Sequence, residues 1–187
     1  MSRDAVLLFV ASLALVGQVA LAAGVIALAG RGRTARVRQM IVESFGTSAV
    51  TIALLISAVA TAGSLYLSEV AHFVPCKLCW YQRIAMYPLP VILGSAVLLR
   101  RRDVHVYVIP VAALGSVVSI YHILVERFPR LESSVCDTSN PCTVIWTRHF
   151  GFETIPTMAL TAFALIIAAL SIGVASDRQL VVSEKEQ

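Results

Sequence analysis

Long apolar stretches separated by short polar segments make up most of the chain. Five stretches are about 20 residues or longer, which is the length that a helix needs to cross the hydrocarbon core of a bilayer. They cover residues 5–29, 46–68, 80–99, 104–125 and 155–175. Open sheet edges cannot be satisfied in lipid, so these stretches are predicted to be helices. The predicted fold class is all-α, a polytopic membrane helical bundle, and Pro88 and Pro90 are predicted to bend the third span.

The composition agrees with a membrane protein. Hydrophobic residues make up 58% of the 187 residues and charged residues 14%, whereas soluble domains average about 45–50% and about 25%. The longest segment between spans, residues 126–154, is too short to form a soluble domain. The composition therefore excludes a soluble globular domain, a disordered chain and a nucleic-acid-binding domain.

The positive charges predict an orientation. Nine Lys and Arg residues would lie on one side of the bilayer and six on the other. The richer side follows spans one, three and five and holds Arg31, Arg33, Arg36, Arg38, Arg100, Arg101, Arg102, Arg178 and Lys185. By the positive-inside rule this side is cytoplasmic, so the N-terminus is predicted outside and the C-terminus inside. The net charge of +4 is then a topology signal, and no nucleic-acid partner is expected.

The first stretch has a second interpretation, since Ala20-Leu21-Ala22 resembles a signal-peptide cleavage site. Its apolar run is longer than a usual signal-peptide core, and the residues before it carry no net positive charge. A transmembrane helix is therefore the preferred prediction.

The four cysteines form two close pairs. Cys76 and Cys79 lie between spans two and three, and Cys136 and Cys142 lie between spans four and five. The predicted orientation puts all four outside the cytoplasm, where disulfides persist. Structural disulfides or a four-cysteine zinc site are alternatives, but two redox-active pairs are favoured and no metal is expected.

The surroundings of the first pair favour reactivity. A C-x-x-C disulfide closes a short ring and is comparatively easy to reduce. Lys77 lies between the two cysteines and Arg83 one turn later, and positive charge lowers the pKa of a thiol. Cys79 is expected just before the start of span three, where the helix dipole favours an anion. Between the second pair, residues 137–141 read DTSNP and predict a tight turn.

The run CKLCWYQRIAMYP at residues 76–88 resembles the bacterial disulfide bond formation protein B family (DsbB), in particular its short-loop BdbC-like branch. Pro141-Cys142 and the run FGFETIP at residues 150–156 are also similar to that branch. The resemblance covers residues 46–175. It implies a four-helix core over 46–175, preceded by residues 1–45 with an extra transmembrane helix and a cytoplasmic basic loop, and followed by a cytoplasmic tail, 176–187.

The resemblance also implies a function. Members of this family are cell-membrane enzymes that reoxidise an extracytoplasmic thioredoxin-like protein of the DsbA or BdbD type and pass two electrons to membrane quinone, either menaquinone or ubiquinone. By position, Cys136 would form the mixed disulfide with the partner and Cys142 would complete that pair. Cys76 and Cys79 would reoxidise the loop pair, with Cys79 facing the quinone and Arg83 stabilising the charge that develops there.

His122, near the outer end of span four, has two interpretations. It is either satisfied by water or backbone, or it donates a hydrogen bond to a quinone carbonyl.

Two other classes of protein remain as alternatives. A protein resembling vitamin K epoxide reductase would also couple cysteine pairs to quinone, although in that family the loop pair precedes the C-x-x-C. A non-enzymatic membrane protein with static disulfides would resist reduction by a thioredoxin-like partner.

Overall fold

The computed structural model describes residues 3–29, 34–132, 136–137 and 139–185, and within them the chain is helical with no β-strand. The all-α prediction is confirmed. A 3₁₀ turn at Gly46–Ser48 joins α2 to α3, and a π-helical turn at Tyr66–Val70 ends α3. The helices are α1 (Arg3–Ala29), α2 (Thr34–Phe45), α3 (Ala49–Leu65), α4 (Lys77–Met86), α5 (Pro88–Leu98), α6 (His105–Arg127) and α7 (Ile155–Lys185).

Four of the five predicted spans are single helical stretches that are long and apolar enough to cross a membrane. They are Asp4–Ile26, Gln39–Val70, His105–Arg127 and Ile155–Gln179. Pro110 lies inside α6, which continues through it. The chain is therefore a polytopic membrane protein by the length and composition of its helices.

The third predicted span differs, because it consists of two short helices, α4 and α5, that meet at Pro88. Proline has no N–H to donate and its ring crowds the preceding turn, so it interrupts the ladder of helix hydrogen bonds. Tyr87 keeps helical backbone angles, and its N–H bonds the carbonyl of Arg83 at 2.8 Å. The third span is thus interrupted at Pro88, where the sequence predicted a bend.

The segments between and after the spans contain more helix than expected. The basic segment predicted as a loop is helical from Thr34 to Phe45, and Val42 within it is buried. Burial of one apolar face stabilises this otherwise polar segment as a helix. α7 continues to Lys185, through most of the predicted tail. Arg31 and Arg33 lie outside the described residues.

Close packing between α6 and α7 forms the centre of the core. Phe163 of α7 is fully buried, and a Cβ atom placed on Gly115 of α6 would collide with its ring. Leu89 and Leu93 of α5 and Ala53 of α3 complete the same apolar cluster. Both cysteine pairs lie at one end of this bundle, where α3 ends, α4 begins and α6 connects to α7. This end is called the cysteine end below.

Gly115→Ala is expected to lower the free energy of unfolding by about 1–3 kcal/mol, because the new methyl group must displace the Phe163 ring in a packed core. Thermal unfolding of the purified protein in detergent measures this. Gly24→Ala is the matched control, since a Cβ at Gly24 meets nothing within 4 Å. Equal melting of the two variants would contradict the packing described here.

Candidate functional site

The C-x-x-C pair lies at the start of α4. Cys76 is the N-cap residue, and its sulfur accepts a hydrogen bond from the backbone N–H of Cys79 at 3.4 Å. The two sulfur atoms lie 3.0 Å apart. Cys76 is buried, whereas Cys79 is half-buried. The helix starts earlier than the sequence suggested, so the capping position belongs to Cys76 and Cys79 lies in the first turn.

The second pair is joined as a disulfide in the connection between α6 and α7. Cys136 and Cys142 are bonded with their Cα atoms 5.8 Å apart. The predicted turn is present: the N–H of Asn140 bonds the carbonyl of Asp137 at 3.2 Å, and the N–H of Ser139 bonds the Asp137 carboxylate. Thr138 lies outside the described residues. The two sulfurs differ in exposure, since Cys142 is buried and Cys136 is half-buried.

The structure brings the two pairs into one apolar cluster at the cysteine end. Cys76 and Cys142 are both buried in it, next to Leu78 and Val125, with Cys79, Cys136, Val118 and Tyr121 packed around them. The side chain of Asn140 donates to the carbonyl of Pro75 at 3.1 Å, which ties the loop to the residue preceding Cys76. The loop pair therefore lies directly against the C-x-x-C pair.

His122 lies between the two pairs. It is buried, and its Nε2 atom is 3.7 Å from the sulfur of Cys76 and 3.2 Å from the carbonyl oxygen of Cys142. The amide nitrogen of Gln82 lies 3.4 Å from Nδ1. An amide nitrogen only donates, so Nδ1 is the acceptor and the Nε2 atom of the neutral ring carries the proton. One N–H group is thus aimed at both a thiol and the backbone of the loop cysteine.

The pKa of the Cys76 thiol is lowered to about 4. The hydrogen bond from the Cys79 thiol is the largest cause. Burial acts in the opposite direction, and the hydrogen bond from His122 lowers the pKa further. The sequence predicted a lowered thiol pKa but assigned it to Lys77 and Arg83. Neither is among the causes at Cys76, and Lys77 is exposed. The charge of Arg83 does lower the pKa of Cys79, but the hydrogen bond to Cys76 and burial outweigh it, so the pKa of Cys79 is raised.

Arg83 is held by α3 and by aromatic rings. Its Nη2 donates to the carbonyl of Ser64 at 3.1 Å, and its guanidinium carbon lies 5.3 Å from the centre of the Trp80 ring and 6.0 Å from that of Tyr87. The ion pairs found among the described residues do not include it. Arg83 thus keeps a positive charge with no carboxylate paired to it in the part of the chain that the structure describes.

A cavity of about 370 Å³ lies beside Cys79 and Arg83, between α1, α3, α4 and α7. Its lining is mostly apolar, and its polar residues include Cys79, Gln82 and Arg83 of α4, with Ser64, Tyr87 and Thr161 elsewhere in the wall. Small-molecule sites are commonly cavities of this size with few polar groups. His122 does not line the cavity, because its ring is directed at Cys76 and Cys142. The interpretation of His122 as a quinone ligand therefore finds no support in its position.

Two sets of side chains also have the spacing of metal ligands. The ligand atoms of Cys76, Cys79 and His122 lie within 4.8 Å of one another, as do those of Glu132, Cys136 and Cys142. In the second set both sulfurs are committed to the disulfide. The four cysteines do not converge on one point among the described residues, so a four-cysteine zinc site is not formed.

Three polar contacts of the site were not predicted from the sequence. Gln82 bridges His122 and the cavity, and Ser64 anchors Arg83. Gln82 follows Cys79 by three positions, the spacing of one helix face, and this was the signal available in the sequence. Gln18 of α1 donates to the carboxylate of Glu153, which is fully buried so that the pKa of Glu153 is raised. Nothing local in the sequence indicates that this pair meets.

Comparison with known proteins gives a consistent result. The family model described as "Disulfide bond formation protein DsbB" matches residues 46–173. "Disulfide bond formation protein C" of Bacillus subtilis is 46% identical over 114 residues, covering 60% of this chain and 83% of that protein. "Probable disulfide formation protein C 2" of Bacillus anthracis is 39% identical over 124 residues, covering 66% and 89%. No solved structure matches the chain.

His122→Phe is expected to raise the pKa of Cys76 by about one unit, because the thiolate loses one of its hydrogen-bond donors. In the unsubstituted protein Cys76 loses its thiolate only as the pH falls toward about 4. The rate of Cys76 alkylation against pH, followed by mass spectrometry, measures the shift. His105→Phe, near the opposite end of α6, is the control. An unchanged profile in His122→Phe would remove His122 from the thiolate site.

Proposed function

This chain belongs to the DsbB family of disulfide bond formation proteins, and from that membership we propose that it oxidises an extracytoplasmic thioredoxin-like protein of the DsbA or BdbD type and delivers the electrons to membrane quinone. The family assigns it to membrane oxidoreductases that form disulfide bonds. The quinone, menaquinone or ubiquinone, and the partner are our proposal. The vitamin K epoxide reductase alternative and the non-enzymatic alternative are set aside, because the chain matches the DsbB family.

The observation that carries this proposal is the position of Cys79. Its sulfur lies 3.0 Å from the sulfur of Cys76, which is packed against the loop disulfide, and Cys79 also lines the apolar cavity together with Arg83. Cys79 therefore lies between the sulfur atoms of the other cysteines and the apolar cavity. A thiol and an apolar two-electron acceptor could meet there.

The proposed exchange starts at the loop. A thiolate of the reduced partner attacks the sulfur of Cys136, and the bond to Cys142 breaks, leaving a Cys142 thiolate. The second thiol of the partner then displaces Cys136. The partner leaves as a disulfide, and the loop pair has gained two electrons and two protons. The greater exposure of Cys136 supports its role as the sulfur attacked, because a protein partner cannot reach the buried Cys142.

The C-x-x-C pair, in its disulfide form, next reoxidises the loop. The Cys142 thiolate attacks Cys76, and Cys79 leaves as a thiolate. Cys136 then attacks Cys142, which closes the loop disulfide and releases Cys76 as the thiolate. The short contact network around Cys76 supports this order, because the helix N-terminus and the His122 N–H stabilise the anion that is released.

The residues of the cavity fit a quinone. Its apolar lining suits a hydrophobic ring and tail, and Arg83 offers an uncompensated positive charge beside Cys79. Bound quinone would accept two electrons and two protons in total. In this proposal Cys79 presents its sulfur to the acceptor and Arg83 stabilises negative charge at that place. We assign His122 to the Cys76 thiolate.

We further propose that the cysteine end faces the outside of the cell membrane, with the N-terminus outside and the C-terminus in the cytoplasm. The asymmetry of Lys and Arg residues supports this orientation. In the same proposal residues 46–175 form the redox core, residues 1–45 a separate N-terminal part and residues 176–187 the cytoplasmic tail.

Cys79→Ser is expected to abolish steady-state quinone reduction, because the sulfur that meets the acceptor is lost. The assay combines the purified full chain, a quinone and a reduced thioredoxin-like protein. The loop disulfide should still oxidise one equivalent of the partner, and this single turnover is the internal control for folding. Continued quinone reduction by Cys79→Ser would refute the proposed electron path.

Cys142→Ser is expected to trap a mixed disulfide when it is mixed with the partner in its disulfide form. The free thiolate of Cys136, the accessible sulfur of the loop pair, attacks the partner disulfide and releases one partner thiolate. Non-reducing electrophoresis with the partner detects the trapped species. Cys136→Ser is the matched variant and should trap little partner, since Cys142 is 1% exposed. Equal trapping by both variants would contradict the assignment of Cys136 as the docking sulfur.

A further inference from the structure

We propose that α1 forms a wall of the acceptor cavity and that Leu13 and Ala14 on it limit the space that the quinone occupies. This inference rests on the proposed reduction of quinone. It adds a part that the family match does not include, because the matched residues begin at position 46, after α1. It also gives a function to the span that an ordinary four-helix core does not require.

One face of α1 lines the cavity. Val10, Leu13 and Ala14 all contribute to its wall, opposite residues of α3, α4 and α7. Their spacing of three and four positions is that of neighbours on one helix face. Phe9 and Val16 point elsewhere and are 57% and 67% exposed, which suits a surface in contact with lipid. The cavity-lining face of α1 is therefore distinct from its lipid-facing side.

Small residues bring α1 close to α7. A Cβ atom placed on Gly17 would lie 2.7 Å from the Leu165 side chain and 3.3 Å from that of Thr161. Ala11, two turns before Gln18 on the same side of the helix, is completely buried. Small residues at such positions let membrane helices pack at short distance. α1 is consequently a packed member of the bundle and not a loosely attached anchor.

Gln18 sets the rotation and depth of α1. Its amide nitrogen donates to Glu153 at 2.9 Å and to the hydroxyl of Thr161 at 3.0 Å. Polar groups inside a membrane are costly without partners, so this pair of bonds favours one position of the helix. In that position Ala14, one turn before Gln18, faces the cavity. A helix that served only as an anchor would need no such contact.

The cavity is covered at the cysteine end and open toward the lipid side. Leu7 of α1 is buried against Ala71 and Phe73, and the Trp146 ring stacks on Phe73 with ring centres 5.1 Å apart. Leu13 is 43% exposed although it lines the cavity, and α1 packs mainly against α2 and α7. An apolar molecule can therefore enter between α1 and α3, which is the route open to a lipid-soluble acceptor.

The test compares Ala14→Phe with Ala20→Phe in the full chain, reconstituted in lipid vesicles with one quinone and a reduced thioredoxin-like partner. Ala14 lines the cavity, whereas Ala20 is exposed and does not. Ala14→Phe should raise the KM for quinone about tenfold, because the ring occupies space that the acceptor uses. Ala20→Phe should leave it unchanged. Single-turnover exchange between the loop and the partner should be equal in both variants.

A second measurement uses the unsubstituted chain, so its result does not depend on whether a variant folds. A quinone bearing a photoreactive azide is added to the unsubstituted chain, and the labelled segment is found by mass spectrometry. Label on residues 4–26 that excess unmodified quinone prevents would support the inference. If the chain reduces quinone but the label is confined to other helices and Ala14→Phe behaves like Ala20→Phe, α1 is not part of the site. If the chain reduces no quinone at all, the proposed function itself fails and this inference with it.

Discussion

The capping of α4 by Cys76 is the interaction on which the rest of the site depends. Because the sulfur takes the place of a capping oxygen and accepts the Cys79 N–H, it is fixed at the positive end of a helix. Each residue of an α-helix is turned by about 100° from the one before. Residues three and four positions apart share one helix face, so Cys79, Gln82 and Arg83 lie together on the side of α4 that lines the cavity.

The break at Pro88 lets the two halves of one membrane crossing serve different purposes. α5 presents Leu89 and Leu93 to the apolar core, where both are fully buried. α4 instead packs its polar residues against α3 and α6, through Arg83 on Ser64 and Gln82 on His122. In a straight helix, one rotation about the helix axis would have to place the apolar side chains against the core and the polar side chains against α3 and α6. The interruption at Pro88 relaxes that restriction without a loop between the two helices.

Several buried polar groups in this apolar chain are hydrogen-bonded between elements that are distant in sequence, although Thr61 Oγ1, His149 Nε2 and Glu153 Oε1 find no partner among the described residues. His122 links α4 with the loop that carries Cys142, Thr154 donates to Glu126, and Gln18 reaches Glu153 across 135 positions. An unpartnered polar group in lipid is costly, so each of these hydrogen bonds restricts the relative positions of the elements it joins. These hydrogen-bonded groups lie at or near the cysteine end, where the other polar residues of the site are found.

The sequence by itself determined the helical class, the interruption at Pro88, the two cysteine pairs and the turn between Cys136 and Cys142. These follow from local rules, such as the length of an apolar run, the missing N–H of proline and the preferences of turn residues. Only the tertiary structure decided that His122 meets Cys76, that Cys142 is the buried sulfur of its pair, and that α1 lines the cavity. Those contacts join helices far apart along the chain. They depend on how each helix is rotated in the bundle, which in a nearly uniform apolar sequence is set by the few polar pairs and small residues where helices touch.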